Sequence, residues 1–332
     1  MIIVTGGAGF IGSNLVAGLE EAGHKNIVVC DWLGKEDKWR NIAKRELRDI
    51  ITPERLEDYL ESHKDEVEVI FHMGAISTTT ETDADLIAET NVVLSRMLWK
   101  WCAINSVRLI YASSAATYGD GSAGFKDDET PEGLAKLLPL NAYGWSKHVF
   151  DRRIARIAHG DDETGEIVPP QWAGLKFFNV YGPNEYHKGD QMSVVCKLHP
   201  QVEAGAAAKL FKSHNKDYED GGQLRDFIYV DDCVDVMLWL MENPKVNGLF
   251  NLGTGEARSF KELAEAAFAA NAKPVKINYI DMPVDLRGKY QYYTQADMDK
   301  LRKAGYDKEF TSLEDGVHNY VQHYLQKDDP YR

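Results

Sequence analysis

Apolar positions along roughly the first 180 residues follow two alternating patterns. Short runs rich in β-branched residues, such as Ile-Ile-Val-Thr at 2–5, alternate with longer segments of helical periodicity. This alternation is typical of a parallel sheet whose strands are joined by crossover helices. We therefore predict strands at 2–5, 27–31, 67–72, 107–112 and 173–178, and helices at 11–22, 53–63, 83–104 and 142–158.

The pattern loses its regularity after Pro183 and regains it near residue 226. There we predict a strand at 226–230, a helix at 233–242 and a strand at 249–252. The chain is thus predicted to be an α/β protein, with a Rossmann-type doubly wound parallel sheet and a smaller, mixed α/β substrate-binding lobe. The predicted dinucleotide-binding domain is 1–178, joined by 225–255 and 295–332, and the predicted lobe is 179–224 with 256–294. The acidic segment 160–170 is predicted to be a surface loop.

The composition narrows the class of partner and the compartment. A formal net charge of −14 over 332 residues argues against nucleic acid or an anionic membrane surface as a partner. No apolar run approaches the roughly 20 residues that span a bilayer, and the chain enters a strand pattern at once, without a secretory signal. The four cysteines lack CxxC spacing and are expected to be buried free thiols, which fits a cytoplasmic protein.

A glycine-rich turn follows the first predicted strand. Gly6, Gly9 and Gly12 are spaced as GxxGxxG between that strand and a helix that begins almost immediately. Side chains at these positions would keep a diphosphate away from the backbone N–H groups and the positive end of the helix. Because the turn lies directly after the strand, it predicts a dinucleotide-binding site.

Residues after the second and third strands are candidates for holding the adenosine. Asp31 closes the second predicted strand and would accept hydrogen bonds from the adenosine ribose, which by itself favours NAD. Asp49-Ile50, placed after the third strand, could border the adenine. Three cations could instead hold the 2′-phosphate of NADP, or simply form a solvated loop: Lys35, Lys38 and Arg40.

The candidate chemistry lies on one helix and at one strand end. Tyr143 and Lys147 are four residues apart, so they share a face of the helix that starts near Asn141. A nearby ammonium and a nicotinamide ring would favour the phenolate of Tyr143, which makes this residue a candidate acid/base, and Lys147 could also hold the nicotinamide ribose. Ser114 ends a strand at the carboxyl edge, where its hydroxyl can bond a substrate oxygen. Taken in isolation, the pair could equally be a packed tyrosine beside a surface lysine.

Together these motifs resemble the extended short-chain dehydrogenase/reductase superfamily, whose members mostly modify nucleotide sugars. More closely, the chain resembles the heptose 6-epimerase branch of that superfamily, and the resemblance spans nearly the whole chain. Its marks are Tyr111-Ala-Ser-Ser-Ala-Ala-Thr-Tyr-Gly119, Phe178-Asn-Val-Tyr-Gly-Pro183 with His187-Lys188-Gly189, Arg225-Asp-Phe, Asn251-Leu-Gly-Thr-Gly255, Gly288-Lys-Tyr-Gln291 and Tyr293-Thr-Gln-Ala-Asp297.

The resemblance implies an NADP-preferring enzyme, with NAD as the alternative, that inverts C6 of an ADP-linked heptose for the lipopolysaccharide inner core. Inversion would proceed by transient oxidation and re-reduction, without a metal. It implies a homo-oligomer, for which a pentamer is one arrangement. The implied cofactor residues beyond the glycines are Phe10, Ile11, Asp31, Trp32, Lys38, Ala75, Asn91, Lys147 and Val180. The implied substrate residues are Ser114, Asn179, Lys188, Phe211, Arg225 and Tyr290.

A second acid/base is needed because one phenol cannot serve both faces of the inverted carbon, and the resemblance points to Lys188. Two positions depart from the family pattern: Pro53 stands where a cofactor-contacting lysine is expected, and Asp190 stands where a serine is expected. Three alternatives stay open. They are a UDP-hexose 4-epimerase, a dehydratase, for which Ala115-Ala116 supplies no additional acid, and an NADP-sensing module without turnover.

Overall fold

The computed structural model describes residues 1–161, 165–287 and 290–332. These residues form twelve strands: β1 (Ile2–Thr5), β2 (Ile27–Cys30), β3 (Asp49–Ile51), β4 (Val69–His72), β5 (Arg108–Ser114), β6 (Trp172–Phe177), β7 (Asn179–Tyr181), β8 (Ala208–Phe211), β9 (Leu224–Tyr229), β10 (Gly248–Leu252), β11 (Ala257–Ser259) and β12 (Ile277–Ile280). Seven of them build one parallel sheet in the order β10-β6-β5-β4-β1-β2-β3. Strand order reverses between β1 and β4, so this is a doubly wound Rossmann-type sheet, as predicted.

Helices cover both faces of this sheet and form most of the second layer of the lobe. They are α1 (Phe10–Glu21), α2 (Leu56–Ser62), α3 (Ala84–Ile87), α4 (Leu94–Ile104), α5 (Pro131–Leu134), α6 (Ala142–His159), α7 (Val194–Glu203), α8 (Val230–Glu242), α9 (Phe260–Ala270), α10 (Val284–Arg287), α11 (Asp299–Lys303) and α12 (Leu313–Tyr320). Short 3-10 segments occur at Asp37–Ile42, Pro53–Arg55, Ala115–Tyr118 and Tyr186–Gln191, and π-helical turns at Ala88–Val93 and Val321–Leu325. None of the helices in the described ranges combines the length and the apolar character that a membrane span requires.

Two apolar cores hold these layers together. The larger one surrounds the central sheet, whose inner strands are apolar on both faces because helices cover both. The smaller one lies in the lobe, where α9 and α12 pack against each other and against two small sheets, β11-β9-β7 and β12-β8. The four cysteines are free and buried, which confirms that expectation.

The predicted elements are confirmed where apolar runs mark them, but a π-helical turn at Ala88–Val93 interrupts the helix predicted at 83–104, and two further details differ. Asp49 and Ile50 lie within β3, not after it, because this exposed edge strand has only three residues and begins at Asp49. The strand at 224–229 pairs with β7 and β11 in the lobe, whereas β10 pairs with β6 in the central sheet. The boundaries of the two domains stay a prediction. Within the loop at 160–170, residues 162–164 lie outside the described residues, as do Gly288 and Lys289 of the motif at 288–291.

Candidate active site

One cavity of about 610 Å³ opens at the carboxyl ends of the central strands, between the sheet and the lobe. This is the edge at which open α/β sheets bind ligands. Most of the predicted site residues line it, from both halves of the chain. They are Gly6, Gly9, Phe10, Ile11, Gly12, Asp31, Trp32, Lys38, Ala75, Ser114, Tyr143, Lys147, Asn179, Val180 and Lys188.

The glycine turn at the floor of this cavity has no room for side chains. A Cβ on Gly12 would lie 2.1 Å from the carbonyl oxygen of Gly6. Gly6 itself has φ +66°, and a Cβ there would lie 2.6 Å from the backbone of Gly74. Helix α1 begins at Phe10 with no side-chain cap, so its first N–H groups face the cavity end of the helix. The turn therefore fits the diphosphate of a dinucleotide.

An acid and a cation lie together where the adenosine ribose is expected. One carboxylate oxygen of Asp31 accepts from the backbone N–H of Ala8 at 2.9 Å, and the other is 2.6 Å from Nζ of Lys38. Lys38 also donates to the carbonyl of Trp32 at 2.9 Å. A ribose hydroxyl would meet the carboxylate of Asp31, and a 2′-phosphate would meet the ammonium of Lys38. Pro53 lines the same end of the cavity but offers no charge.

The tyrosine–lysine pair occupies the first turns of α6. This helix starts where the side chain of Asn141 accepts from the N–H of Gly144 at 2.8 Å. Burial raises the pKa of the Tyr143 phenol, while its hydrogen bond with the hydroxyl of Ser114 acts in the opposite direction. Burial lowers the pKa of Lys147 to about 8, against the opposing effect of the Asp151 carboxylate. The phenol and the hydroxyl therefore lie together at the end of β5, and with Lys147 they are the candidate proton-transfer group of the cavity.

A buried carboxylate, that of Asp151, fixes α6 against two strands, one of which carries Ser114. The Asp151 carboxylate lies 2.6 Å from Nζ of Lys176 on β6, and both side chains are fully buried. It also accepts from the hydroxyls of Ser113 at 2.7 Å and Tyr111 at 3.0 Å, both on β5. One carboxylate therefore joins α6, β5 and β6 directly behind the proton-transfer group.

Lys188 approaches the cavity from another element, the 3-10 segment Tyr186–Gln191. Its Nζ lies 5.0 Å from the centre of the Phe10 ring. Burial lowers its pKa, and the nearby Glu185 carboxylate opposes that shift. Glu185 also binds both the backbone N–H and the hydroxyl of Ser193, the latter at 2.6 Å, which closes the loop around Lys188.

Three predicted cofactor residues do not line the cavity. Asp49 and Ile50 are exposed on the edge strand. Asn91 is fully buried in the π-helical turn, where its amide pairs with both backbone groups of Ile76 and donates to the hydroxyl of Ser146. Its amide therefore supports α6 and the loop at 73–77 that follows β4. Both of these elements line the cavity, whereas Asn91 itself does not.

Three predicted substrate residues form a cluster beside the cavity and do not line it. The guanidinium of Arg225 lies 5.2 Å from the ring centre of Tyr290 and 5.7 Å from that of Phe260, and Phe211 meets Tyr290 edge-on at 6.4 Å. Arg225 is 9% exposed, and its guanidinium donates to the carbonyl of Leu224 at 2.8 Å. Because Phe260 lines the cavity, the cluster borders it.

Several lining residues were not predicted. His187, Gln191 and Met192 flank Lys188, and burial lowers the pKa of His187 to about 4, so it is neutral near pH 7. Apart from Ala75, which was predicted, the stretch from Met73 to Ser77 follows β4 and could have been found by the rule that ligands bind at carboxyl strand ends. Nothing in the sequence pattern indicates the apolar wall from the lobe, which comprises Phe227, Phe260 and Leu263.

A glycine turn at a switch point, beside a half-buried tyrosine and a buried lysine on one helix face, defines a dinucleotide-dependent enzyme of the short-chain dehydrogenase/reductase type. The profile of the NAD dependent epimerase/dehydratase family matches residues 2–253, and the chain belongs to this family.

Relatives and solved structures resemble the chain along its length. A protein named ADP-L-glycero-D-manno-heptose-6-epimerase from Nitratidesulfovibrio vulgaris is 51% identical over 334 residues, and one of the same name from Fusobacterium nucleatum is 49% identical over 339, with all of each chain covered. The crystal structure of the Helicobacter pylori protein of that name is 28% identical, with a TM-score of 0.75 over 97% of this chain and 95% of that one. The Thermotoga maritima UDP-glucose 4-epimerase with UDP-glucose is 26% identical, with a TM-score of 0.75 over 97% of each chain.

Proposed function

We propose that the chain inverts C6 of the heptose in ADP-D-glycero-D-manno-heptose to give the L-glycero epimer, for lipopolysaccharide inner-core synthesis. The observation that carries this proposal is the presence, in one cavity, of two proton-transfer candidates on separate elements, Tyr143 and Lys188. Inversion of a carbinol whose intermediate ketone keeps its orientation in the site needs acid/base groups on both faces of the reacting carbon. The full-length similarity to curated heptose epimerases supports the same substrate.

The cofactor that we propose is NADP, with NAD as the alternative. The glycine turn would hold its diphosphate, Asp31 and Lys38 its adenosine ribose with the 2′-phosphate, and Lys147 its nicotinamide ribose. Bound there, the nicotinamide ring would oxidise and then reduce the substrate carbinol. Because Pro53 replaces the lysine of the family pattern, Lys38 would bind the 2′-phosphate without the help of that second lysine. NAD, which has no 2′-phosphate, therefore stays a candidate.

The residues of this chain then have distinct roles. Tyr143 exchanges the proton of the C6 hydroxyl on one face, and Ser114 donates to the same oxygen. The ammonium of Lys147 stabilises the phenolate form of Tyr143. Lys188, with a pKa lowered by burial, exchanges the proton on the opposite face. Asn179, which also lines the cavity, would bind the sugar.

The remaining substrate contacts belong to the lobe. Arg225 carries a planar guanidinium suited to a diphosphate, and the rings of Phe211 and Tyr290 would border the nucleotide. We propose that substrate binding brings this cluster into contact with the ligand, since it already borders the cavity through Phe260.

We also propose a cytoplasmic homo-oligomer, with a pentamer as one arrangement. Four buried free cysteines agree with a reducing compartment. Sedimentation of the purified protein would give its subunit number.

The test begins with the nucleotide that copurifies, identified after denaturation. The protein is then incubated separately with ADP-D-glycero-D-manno-heptose and with UDP-glucose, and the sugars are separated by chromatography. We expect inversion of the heptose alone. Conversion of UDP-glucose would favour the 4-epimerase that the Thermotoga maritima structure exemplifies, and binding without conversion of either sugar would favour a sensing module.

The role of Lys188 is tested by Lys188→Met, with Lys245→Met as a control on an exposed lysine outside the cavity. We expect Lys188→Met to lose epimerisation by on the order of a hundredfold, with unchanged cofactor binding, and the control to behave like the original protein. Full-rate epimerisation by Lys188→Met would refute the two-base arrangement.

A further inference from the structure

The segment 328–332 crosses the outside of the site and contacts the stretch that follows Lys38. Nζ of Lys44 lies 2.9 Å from the Asp329 carboxylate and donates to the Tyr331 carbonyl at 2.5 Å. The guanidinium of Arg40 lies 4.7 Å from the centre of the Tyr331 ring. Tyr331, which is 9% exposed, is therefore held by Arg40 at its ring and by Lys44 at its backbone carbonyl.

The same segment contacts the stretch that carries Lys188. The hydroxyl of Tyr186 donates to the carbonyl of Pro330 at 2.8 Å, and its ring meets Tyr331 edge-on at 5.2 Å. The backbone N–H of Arg332 donates to the side chain of Asn184 at 3.0 Å. One short segment thus bridges the two stretches that carry Lys38 and Lys188.

Arg332 anchors this bridge to the sheet-covering helices. Its guanidinium lies 2.5 Å from the Asp231 carboxylate on α8 and 2.8 Å from that of Glu21 on α1. Only 13% of the Arg332 side chain is exposed, whereas both carboxylates remain partly exposed to solvent. The bridge therefore has a fixed base on regular structure.

Beneath the bridge, three buried asparagines join the same stretches to the glycine turn. The Asn41 amide donates to the carbonyl of Ala8 at 2.8 Å and to that of Asn184 at 3.1 Å. The Asn184 amide donates to the hydroxyl of Ser13 at 3.0 Å. The Asn14 amide donates to the carbonyl of Pro183 at 2.9 Å. A shift of either lysine-bearing stretch would break hydrogen bonds between buried groups, which is costly.

We propose that Tyr331 and Arg332 are positioning residues that hold Lys38 and Lys188 in the wall of the cavity. Both lysines lie in 3-10 segments, which have few internal hydrogen bonds and need support from outside. Tyr331 contacts both segments or their immediate neighbours, and it does not line the cavity. This inference rests on the roles proposed above for Lys38 and Lys188.

The test compares Tyr331→Ala with Tyr306→Ala. Tyr306 is a matched control: it is 3% exposed, meets Trp239 edge-on at 5.5 Å and lies 5.6 Å from the guanidinium of Arg302, away from the cavity. Dissociation constants for NADP and NAD are measured by titration at a temperature where both variants are folded. We expect Tyr331→Ala to raise the dissociation constant for NADP on the order of tenfold more than that for NAD, because only NADP presents a 2′-phosphate to Lys38. Tyr306→Ala should leave the ratio of the two dissociation constants unchanged.

Epimerisation of ADP-heptose is the second measurement. Tyr331→Ala should lower kcat on the order of tenfold at saturating cofactor through the misplaced Lys188, while the control keeps its kcat per folded molecule. The proposal would be overturned if Tyr331→Ala left both kcat and the ratio of the NADP and NAD dissociation constants unchanged. It would also be overturned if Tyr331→Ala and Tyr306→Ala changed these quantities equally. Cofactor titration needs no substrate, so it still tests the bridge if the unmodified protein fails to invert ADP-heptose.

If Tyr331→Ala does not fold, two milder variants separate the sides of the bridge. Lys44→Gln removes the contacts with Asp329 and Tyr331, and should weaken the binding of NADP more than the binding of NAD. Tyr186→Phe removes only the hydrogen bond to Pro330. It should lower kcat and leave the ratio of the NADP and NAD dissociation constants unchanged. No effect of either variant would overturn the proposal.

Discussion

Replacing Asp151 with asparagine should both destabilise the fold and change the titration of the active site. The Asp151 carboxylate is fully buried, and it faces the ammonium of Lys176 at 2.6 Å together with two hydroxyl donors. Asp151→Asn keeps the shape and one acceptor oxygen but removes the charge. Lys176 is then left as a buried cation whose remaining partners are the hydroxyl of Thr117 at 2.8 Å and the Tyr118 ring at 5.2 Å.

The magnitude follows from the lost counter-charge. Breaking a buried ion pair on one side costs about 3–5 kcal/mol of unfolding free energy, and the contacts that Lys176 keeps place the expected loss near the lower end, at about 3 kcal/mol. Lys176→Met should cost less, since Asp151 retains both hydroxyl donors. The double variant should cost less than the sum of the single variants by about 0.5–3 kcal/mol, because the two residues contact each other.

Urea unfolding of the four proteins measures these differences. Asp235→Asn is the matched control, because Asp235 pairs with Lys308 at the surface, with a third of its side chain exposed. This pair should contribute at most about 1 kcal/mol. If Asp151→Asn unfolds at the same urea concentration as the original protein, the buried pair does not have the energetic role assigned to it.

The active-site effect of Asp151→Asn has a definite sign. The Asp151 charge raises the pKa of Lys147, which burial lowers to about 8. Without that charge the ammonium of Lys147 deprotonates at lower pH, so the alkaline decline of kcat should begin at lower pH than in the original protein. Asp235→Asn should leave the profile in place. An unmoved alkaline limb in Asp151→Asn would contradict the coupling between the two residues.

Three further results are expected. Tyr143→Phe should lower turnover by on the order of a hundredfold or more while cofactor binding stays nearly intact, and near-normal turnover would refute its role. Lys38→Ala should weaken NADP far more than NAD in direct titrations, and an equal loss for both would refute the 2′-phosphate contact. Burial lowers the pKa of His72 to about 3 from 6.5, so the stability due to its neutral form is complete above pH 6.5 and is lost as the pH falls toward 3. Between pH 6.5 and 5 this group alone should cost about 2 kcal/mol, and urea unfolding should show a smaller loss in His72→Gln.

The sequence predicts the parts of the site that depend on local spacing. The glycine turn, Asp31 and Ser114 lie at carboxyl ends of apolar strands, and helical periodicity places Tyr143 and Lys147 on one face. Each of these inferences needs only a few neighbouring residues. The same reasoning does not locate the edge strand β3, because this strand is short, exposed and charged at its first position.

What the sequence does not predict depends on contacts between distant segments. A continuous helix was expected at 83–104, whereas the structure has a π-helical turn there that buries Asn91 and uses its amide for Ile76 and Ser146. The bridge at 328–332 contacts Lys44, 287 positions before Tyr331, and Tyr186, 144 positions before Pro330. No periodicity or spacing within either segment carries that information.

The two proton-transfer candidates are held by different kinds of structure. Tyr143 lies on a regular helix that the Asp151 carboxylate joins to two strands of the central sheet, by an ion pair to β6 and by hydrogen bonds from β5. Lys188 lies on a short 3-10 segment that is held by side chains from remote parts of the chain. The proposed inversion uses both groups, and the supports described for them share no residue. Substitutions behind α6 and substitutions around Lys188 should therefore affect the two faces of the reacting carbon separately, which makes the proposed two-base chemistry accessible to experiment one face at a time.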